Sequence, residues 1–258
     1  MTDGPDRDIV HLLWTGGWDS TFRLLQLLVE TEARVQPLYV VDEKRASTPR
    51  EIDTMRTLRR EIAETLPGAE ARLLPTRYGG SFGAISIEPH HRKQWRALQE
   101  DARVGYQYPN LASYAEQNDI ARLEIGARAS GFRDQLAPYF ETQTTPGGSV
   151  TVLANGVEGP AALFERFAFP LLSLPKQDMK AEAERWGLRS IVEKTWFCYD
   201  PVLGFPCGTC HPCTTVLNEG MDHRVGYVGP VLSTIRQGII RARVRVGAWR
   251  RRLGLTFE

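Results

Sequence analysis

The chain has 258 residues, 42% hydrophobic and 24% charged, which is enough apolar material for one sizeable core. Lys and Arg number 32 against 31 Asp and Glu, and a formal net charge of +1 excludes bulk attraction to nucleic acid or to an anionic membrane. No apolar run approaches the roughly 18 residues of a bilayer span, and residues 1–8 are too polar and acidic for a signal peptide, so a cytoplasmic protein is expected.

In chain order, residues 9–14 form a short apolar run that predicts a strand, residues 15–18 a turn, and residues 20–30 a helix. On that helix Phe22, Leu24, Leu25 and Leu28 make an apolar face. Residues 35–41, rich in β-branched and aromatic side chains, predict a second strand. Residues 49–65 read as a charged amphipathic helix with Ile52, Met55, Leu58 and Ile62 on one side, and residues 71–75 as a third strand. The glycine-rich residues 78–86 read as a mobile loop, and His90-His91 beside Arg92-Lys93 as a solvated one. Residues 111–118 predict a helix, residues 123–126 a buried strand entering a turn, residues 142–148 an exposed polar excursion, and residues 177–186 a helix. Beyond Lys194 the chain reads as irregular. Strands separated by helices predict an α/β fold, a doubly wound parallel sheet with helices on both faces.

The first strand runs into Leu13-Trp14-Thr15-Gly16-Gly17-Trp18-Asp19-Ser20-Thr21. Two glycines turn the chain, and a helix starts with Asp19 and Ser20 near its N-cap. Backbone N–H groups at a helix start, with the helix dipole behind them, favour a bound anion. Thr15, Ser20 and Thr21 offer hydroxyl donors, and Asp19 is a candidate ligand for the Mg2+ that accompanies a nucleotide. The spacing matches neither G-x-x-x-x-G-K-[ST] nor G-x-G-x-x-G. Alone, such a loop is also compatible with an ordinary capped turn.

All four cysteines, Cys198, Cys207, Cys210 and Cys213, fall within a short stretch. A disulfide framework spreads its cysteines to close long loops; clustering points to a metal and a reducing compartment. Four thiolates at these spacings can surround a tetrahedral Zn2+, with Gly208 easing the turn between ligands. A C-x2-C-x2-C run also serves iron–sulfur clusters, and His211 could replace one cysteine. Zinc is the expectation, because one saturated site accounts for all four thiols, and a closed site is structural.

The glycine loop resembles the S-G-G-x-D-S loop of the PP-loop ATP-pyrophosphatase superfamily, with Thr15 at the usual serine. The resemblance implies that Thr15, Gly16, Gly17, Trp18, Asp19, Ser20 and Thr21 bind ATP phosphates. It also implies that the end of the second strand, at Val40, Val41 and Asp42, lies beside the adenine. Together with the cysteine cluster, the chain is similar to the 7-cyano-7-deazaguanine synthase family. Ile125-Gly126 and Ser130-Gly131-Phe132-Arg133-Asp134 resemble its I-G and S-G-Y-P-D segments, and Pro170-Leu171 with Lys176 its P-(I/L)-x-x-x-x-K element. Thr195-Trp196-Phe197-Cys198-Tyr199 and Pro206-Cys207-Gly208 resemble T-W-S-C-Y and P-C-G.

That similarity implies an ATP-dependent ligase in which a carboxylate is adenylylated, ammonia displaces AMP to give an amide, and a second ATP drives dehydration to a nitrile. Asp19, Ser20 and Lys176 are then the catalytic candidates, with Lys176 neutralising phosphate. Asn110, Gly126, Phe132 and Asp134 would contact the substrate. ATP, Mg2+ and Zn2+ are the implied cofactors, a small carboxylate and ammonia the reactants, and a homodimer the assembly. The implied organisation is a PP-loop domain over residues 1–195, a four-cysteine zinc segment over residues 196–234 and a basic C-terminal helix over residues 235–258. Departures fall where a base or carboxylate would be read. Pro109-Asn110 keeps only the asparagine of an R-N pair, Arg133 replaces a proline and Gln135 a cysteine, and Asp42-Glu43-Lys44-Arg45 stands in place of Y-G-Q-x-H. Another carboxylate, a tRNA or a protein is therefore the alternative substrate.

Residues 236–252 carry Arg236, Arg241, Arg243, Arg245, Arg250, Arg251 and Arg252 among apolar residues. The pattern fits a surface helix with solvated arginines, and equally a contact for nucleic acid or a protein partner.

Overall fold

The computed structural model describes residues 9–102, 104–127, 136–145 and 147–238. The expectations for Phe132, Asp134 and the arginines beyond Arg236 lie outside the described residues. The chain divides into two compact units, Met1–Lys44 with Thr48–Trp196, and Arg45–Ser47 with Phe197–Glu258.

The first unit is built on a seven-stranded sheet. Its elements begin with β1 (Ile9–Leu13), α1 (Trp18–Glu30), β2 (Arg34–Val41), α2 (Thr48–Thr65), the single turn α3 (Ala69–Arg72) and β3 (Arg77–Ser81). There follow α4 (Pro89–Asp101), α5 (Gln107–Gln117), β4 (Leu123–Ile125), β5 (Phe140–Thr145), β6 (Gly148–Leu153), β7 (Phe167–Phe169), α6 (Lys176–Arg185) and α7 (Arg189–Glu193). The strand order is β3-β2-β1-β4-β7-β6-β5. The β1–β2, β1–β4, β2–β3 and β4–β7 pairs are parallel. The β6–β7 and β5–β6 pairs are antiparallel, so the doubly wound sheet is parallel through its centre and closes on a hairpin at one edge.

Of the parallel strands, β2, β4 and β7 are buried on both faces, as crossover helices require, while β1 is largely half-buried. Six consecutive residues of β2, from Val35 to Val40, are buried. On α1, Phe22, Leu24, Leu25 and Leu28 are all buried, and Phe22 stacks on Trp186 with ring centroids 5.2 Å apart. Burying side chains of this size contributes about 1.5–3 kcal/mol each. Against the other strands, Tyr108 of α5 meets Phe164, Phe167 and Phe169 edge-on or tilted, which fixes the short β7 in the sheet. The strand order reverses between β1 and β4, and in open α/β sheets that reversal opens a ligand crevice at the carboxyl ends of the strands.

Several expectations are corrected. The third strand is β3, not residues 71–75, where a helical turn leads to a single bridge from Leu73 to Val35. The glycine-rich stretch is therefore partly an edge strand, its backbone paired with Leu38, Tyr39 and Val41. The polar excursion at residues 142–148 is the β5–β6 hairpin, whose outer strand is largely exposed. His90 and His91 do not sit in a solvated loop: Pro89 opens α4 and His91 is only 6% exposed. Burial, with His90 acting in the same direction, pushes the His91 pKa down.

The second unit contains α8 (His211–Asn218), a 3₁₀ turn at Asp222–Arg224 and a helix over residues 228–238. Arg45 lies 4.1 Å over the Tyr199 ring, and Arg236 pairs with Asp200 at 3.0 Å. No helix among the described residues is long and apolar enough to cross a membrane.

Candidate active site and cysteine cluster

The glycine loop leaves the carboxyl end of β1 and enters α1 at once. Gly16 takes a left-handed conformation (φ 69°), and a Cβ there would meet Met55 Cγ at 3.2 Å and the Glu51 carbonyl at 3.3 Å, both on α2. Only glycine meets both conditions without strain. The Gly16 carbonyl accepts from the Trp196 backbone N–H at 2.9 Å, so the turn is pinned from a segment far along the chain. Gly17 is the N-cap, with Asp19 and Ser20 in the first turn; the Ser20 hydroxyl donates to the Gly17 carbonyl (3.3 Å) and accepts from the Thr15 N–H (3.5 Å).

The first helical bond of α1 runs from the Thr21 N–H to the Gly17 carbonyl at 3.0 Å, so the amides before it point out of the helix start. Gly126, directly after β4, lies against them. A Cβ at Gly126 would stand 3.0 Å from the Ser20 N and 3.2 Å from the Asp19 carbonyl carbon. The absence of a side chain there keeps the Ser20 amide uncovered. Thr21 is fully buried and its hydroxyl accepts from the Trp14 indole N–H at 3.0 Å, so it sets the loop from beneath and does not face outward.

Lys176 opens α6, and its side chain is only 9% exposed, not solvated. Its ammonium donates to the Asp19 carboxylate across 157 positions of sequence and lies 4.8 Å over the Trp18 ring. Helix start, carboxylate and ammonium thus converge at the strand ends. Val41 closes β2, and its carbonyl accepts from the Phe82 N–H at 2.9 Å. Asn110 is fully buried in α5; its amide N–H donates to the Tyr106 carbonyl at 2.8 Å, while its Oδ1 has no hydrogen-bond partner among the described residues.

In the second unit the four thiols come together. The Sγ of Cys210 lies 3.4 Å from that of Cys213 and 3.9 Å from that of Cys198, and Cys207 and Cys213 are 3.9 Å apart. A tetrahedron with Zn–S bonds of about 2.3 Å has edges of roughly 3.8 Å, so the residues present fit such an ion. Backbone N–H groups of Cys210 and Thr209 donate to the Cys207 sulfur at 3.3 and 3.5 Å, and that of Cys207 to the Cys198 sulfur at 3.2 Å. Hydrogen bonding with Cys198 and Cys213 holds the Cys210 thiol far below its usual range, and reciprocally Cys198 is pushed up to about 12. One thiolate in such a group raises its neighbours, and a cation allows all four to ionise together. His211 is exposed at the start of α8 and is not part of the group.

The family model described as queuosine biosynthesis protein QueC matches residues 9–223, from β1 through all four cysteines. The chain belongs to the QueC family. The solved structures include a similar chain, a 4-thiouridine synthetase–RNA complex with bound ATP, at 14% identity and a TM-score of 0.42. The match covers 88% of this chain and 52% of that one, so the QueC-family chain spans about half the length of the solved structure it matches.

Residues that sequence reading passed over support the site in this QueC-family chain. Arg23 of α1 and Glu124 of β4 form a buried bidentate pair at 2.7 and 2.9 Å, directly behind the loop. Arg23 also donates to Gln26 at 2.7 Å and to the Gly147 carbonyl. Glu51, buried on α2, accepts from the Tyr39 hydroxyl at 2.9 Å, and Arg50 lies 5.0 Å over the Trp196 ring. Apart from Gln26, which shares α1 with Arg23, the partners lie far apart in sequence, and no local motif links them.

Proposed function

We propose that this chain is an ATP-dependent ligase that adenylylates a carboxylate and converts it with ammonia to an amide and then a nitrile, as in 7-carboxy-7-deazaguanine to 7-cyano-7-deazaguanine. The observation that carries the reading is the convergence of the Gly16–Gly17 turn, the start of α1, Asp19 and Lys176 at the carboxyl ends of β1 and its neighbours, in a chain of the QueC family.

In this reading a substrate carboxylate oxygen attacks the α-phosphorus of ATP, and pyrophosphate leaves. Ammonia then adds to the acyl carbon and AMP departs with the carboxylate oxygen, giving the amide. A second ATP adenylylates the amide oxygen, and loss of AMP and a proton leaves the nitrile. The amides after Gly17, with Thr15 and Ser20, hold the departing pyrophosphate, and Thr21 keeps the loop in shape beneath them. Lys176 turns from Asp19 to neutralise phosphate charge as it develops. Asp19 would hold Mg2+, which when bound would supply further charge neutralisation on the phosphates. Val41 borders the adenine. Asn110 and Gly126, with Phe132 and Asp134, contact the substrate, and the unpartnered Asn110 Oδ1 supports a polar ligand on that side. Zn2+ on Cys198, Cys207, Cys210 and Cys213 has no open position and serves to hold the second unit together.

Product analysis with ATP, Mg2+, ammonia and 7-carboxy-7-deazaguanine tests the reading. Nitrile together with AMP and pyrophosphate supports it. AMP formed only with another carboxylate, a tRNA or a protein keeps the activation chemistry and discards the substrate; no AMP with any of them discards both.

A further inference from the structure

His90, His91 and Glu116 bring three metal-ligating side chains together outside the site described above, with their ligand atoms within 4.8 Å of one another. The Glu116 Oε2 lies 3.1 Å from His90 Nε2 and 3.5 Å from His91 Nε2. A tetrahedral ion with bonds of about 2.0–2.1 Å has ligand–ligand edges of roughly 3.3–3.4 Å, so both distances are those of ligands sharing one ion.

The hydrogen bonding of His91 supplies a second, independent observation. Its Nδ1 lies 2.9 Å from Ser113 Oγ. That hydroxyl has one proton, donated to the Pro109 carbonyl at 2.8 Å, and it accepts from the Glu88 N–H at 2.9 Å. With that proton on the Pro109 carbonyl, the Nδ1–H is the donor, and the lone pair of neutral His91 is placed on Nε2. There it faces a carboxylate oxygen, acceptor against acceptor, unless a proton or a metal cation lies between them. An acceptor that takes the N–H of one imidazole nitrogen fixes the other as a potential ligand, and the Ser113 oxygen fills that place here.

We propose that His90, His91 and Glu116 form a second metal site that takes a divalent transition ion such as Zn2+, with water in the remaining position. Two imidazoles and one carboxylate select that class over Mg2+ or Ca2+, which prefer all-oxygen sites. The ion ties the first turn of α4 to the end of α5, where Gln117 already donates to the Glu88 side chain at 2.6 Å. This inference does not depend on the ligase reading.

The test counts zinc in the full-length protein after equilibration with Zn2+ and desalting, for the parent chain and for Glu116→Gln and His90→Gln. The Glu116 and His90 side chains are 38% and 52% exposed, so both variants keep the core, and both retain the cysteine cluster. The parent is expected to hold one zinc equivalent more than either variant, and Zn2+ to raise the Tm of the parent by more than that of either variant, with Mg2+ giving neither effect. Equal zinc content in parent and variants, or equal uptake of Mg2+, overturns the proposal.

Discussion

Glu124→Ala removes the carboxylate that receives Arg23 Nε at 2.7 Å and Nη2 at 2.9 Å. Arg23 is 1% exposed, so neither donor can turn to water, while Gln26 and the Gly147 carbonyl occupy only Nη1. Breaking a buried pair from one side costs about 3–5 kcal/mol, because a charge is left without compensation. For a chain of this size each kcal/mol moves the Tm by about 2–4 °C, so a fall of roughly 6–20 °C is expected by differential scanning calorimetry. The double variant Arg23→Met, Glu124→Leu removes both charges and should recover most of that loss, since well-packed apolar residues often replace a buried pair at little cost. If Glu124→Ala melts within about 2 °C of the parent, a fall below about 1 kcal/mol, the pair does not hold α1 to the sheet. A double variant no better than the single one would show that packing geometry, not charge, is what the pair supplies.

In Gly126→Ala the new methyl carbon would stand 3.0–3.2 Å from the Asp19–Ser20 backbone, so the loop must shift by a few tenths of an ångström. Such a shift should lower AMP formation about tenfold while costing about 1–3 kcal/mol of stability; parent-like turnover would remove the loop from the active site. Asp19→Asn takes away the carboxylate that Lys176 pairs with. Pyrophosphate binding measured without Mg2+ should tighten about 2–5-fold, the worth of a partly exposed pair, while turnover with Mg2+ falls; a loss of both would show that Asp19 shapes the loop only. Cys210→Ser, or a chelator on the parent, should release the zinc of the cysteine cluster and expose residues 197–238 to limited proteolysis, with β1 to α7 still protected. Retained protection after complete zinc loss would make the metal dispensable for that unit.

The central strands were legible in the sequence because β1 and β2 are largely apolar and β4 places Leu123 and Ile125 just before a glycine turn, and α1 and α2 because their apolar residues recur with helical spacing. β3 was missed because Arg-Tyr-Gly-Gly-Ser lacks the β-branched composition of a strand; it is held by backbone pairing at the sheet edge. The β5–β6 hairpin was missed because Glu141, Thr142 and Thr144 face solvent, so its outer strand reads as loop. β7 is three residues long, too short for any period, and its place is set by Tyr108 and Phe164. The same limit applies to the site. The loop and the cysteines are local patterns, whereas Lys176 reaches Asp19 across 157 positions and Glu116 reaches the two histidines from another helix.

Three neighbouring strands each deliver one part of the proposed nucleotide site, which gives the short central strands a physical rationale. β1 ends in the glycine loop, β4 ends one residue before Gly126, and the chain after β7 leads to Lys176 at the start of α6. A helix start that attracts anions and a carboxylate at its second residue work against each other, because Asp19 repels the phosphate that the amides favour. The Lys176 ammonium resolves that conflict by making the pair neutral. Phosphate and a divalent cation together can split such a pair, the ammonium turning to one and the carboxylate to the other, whereas either alone leaves one charge uncompensated. On the proposed reading, the arrangement favours a metal–polyphosphate complex over a bare anion, which is the form in which a nucleoside triphosphate arrives.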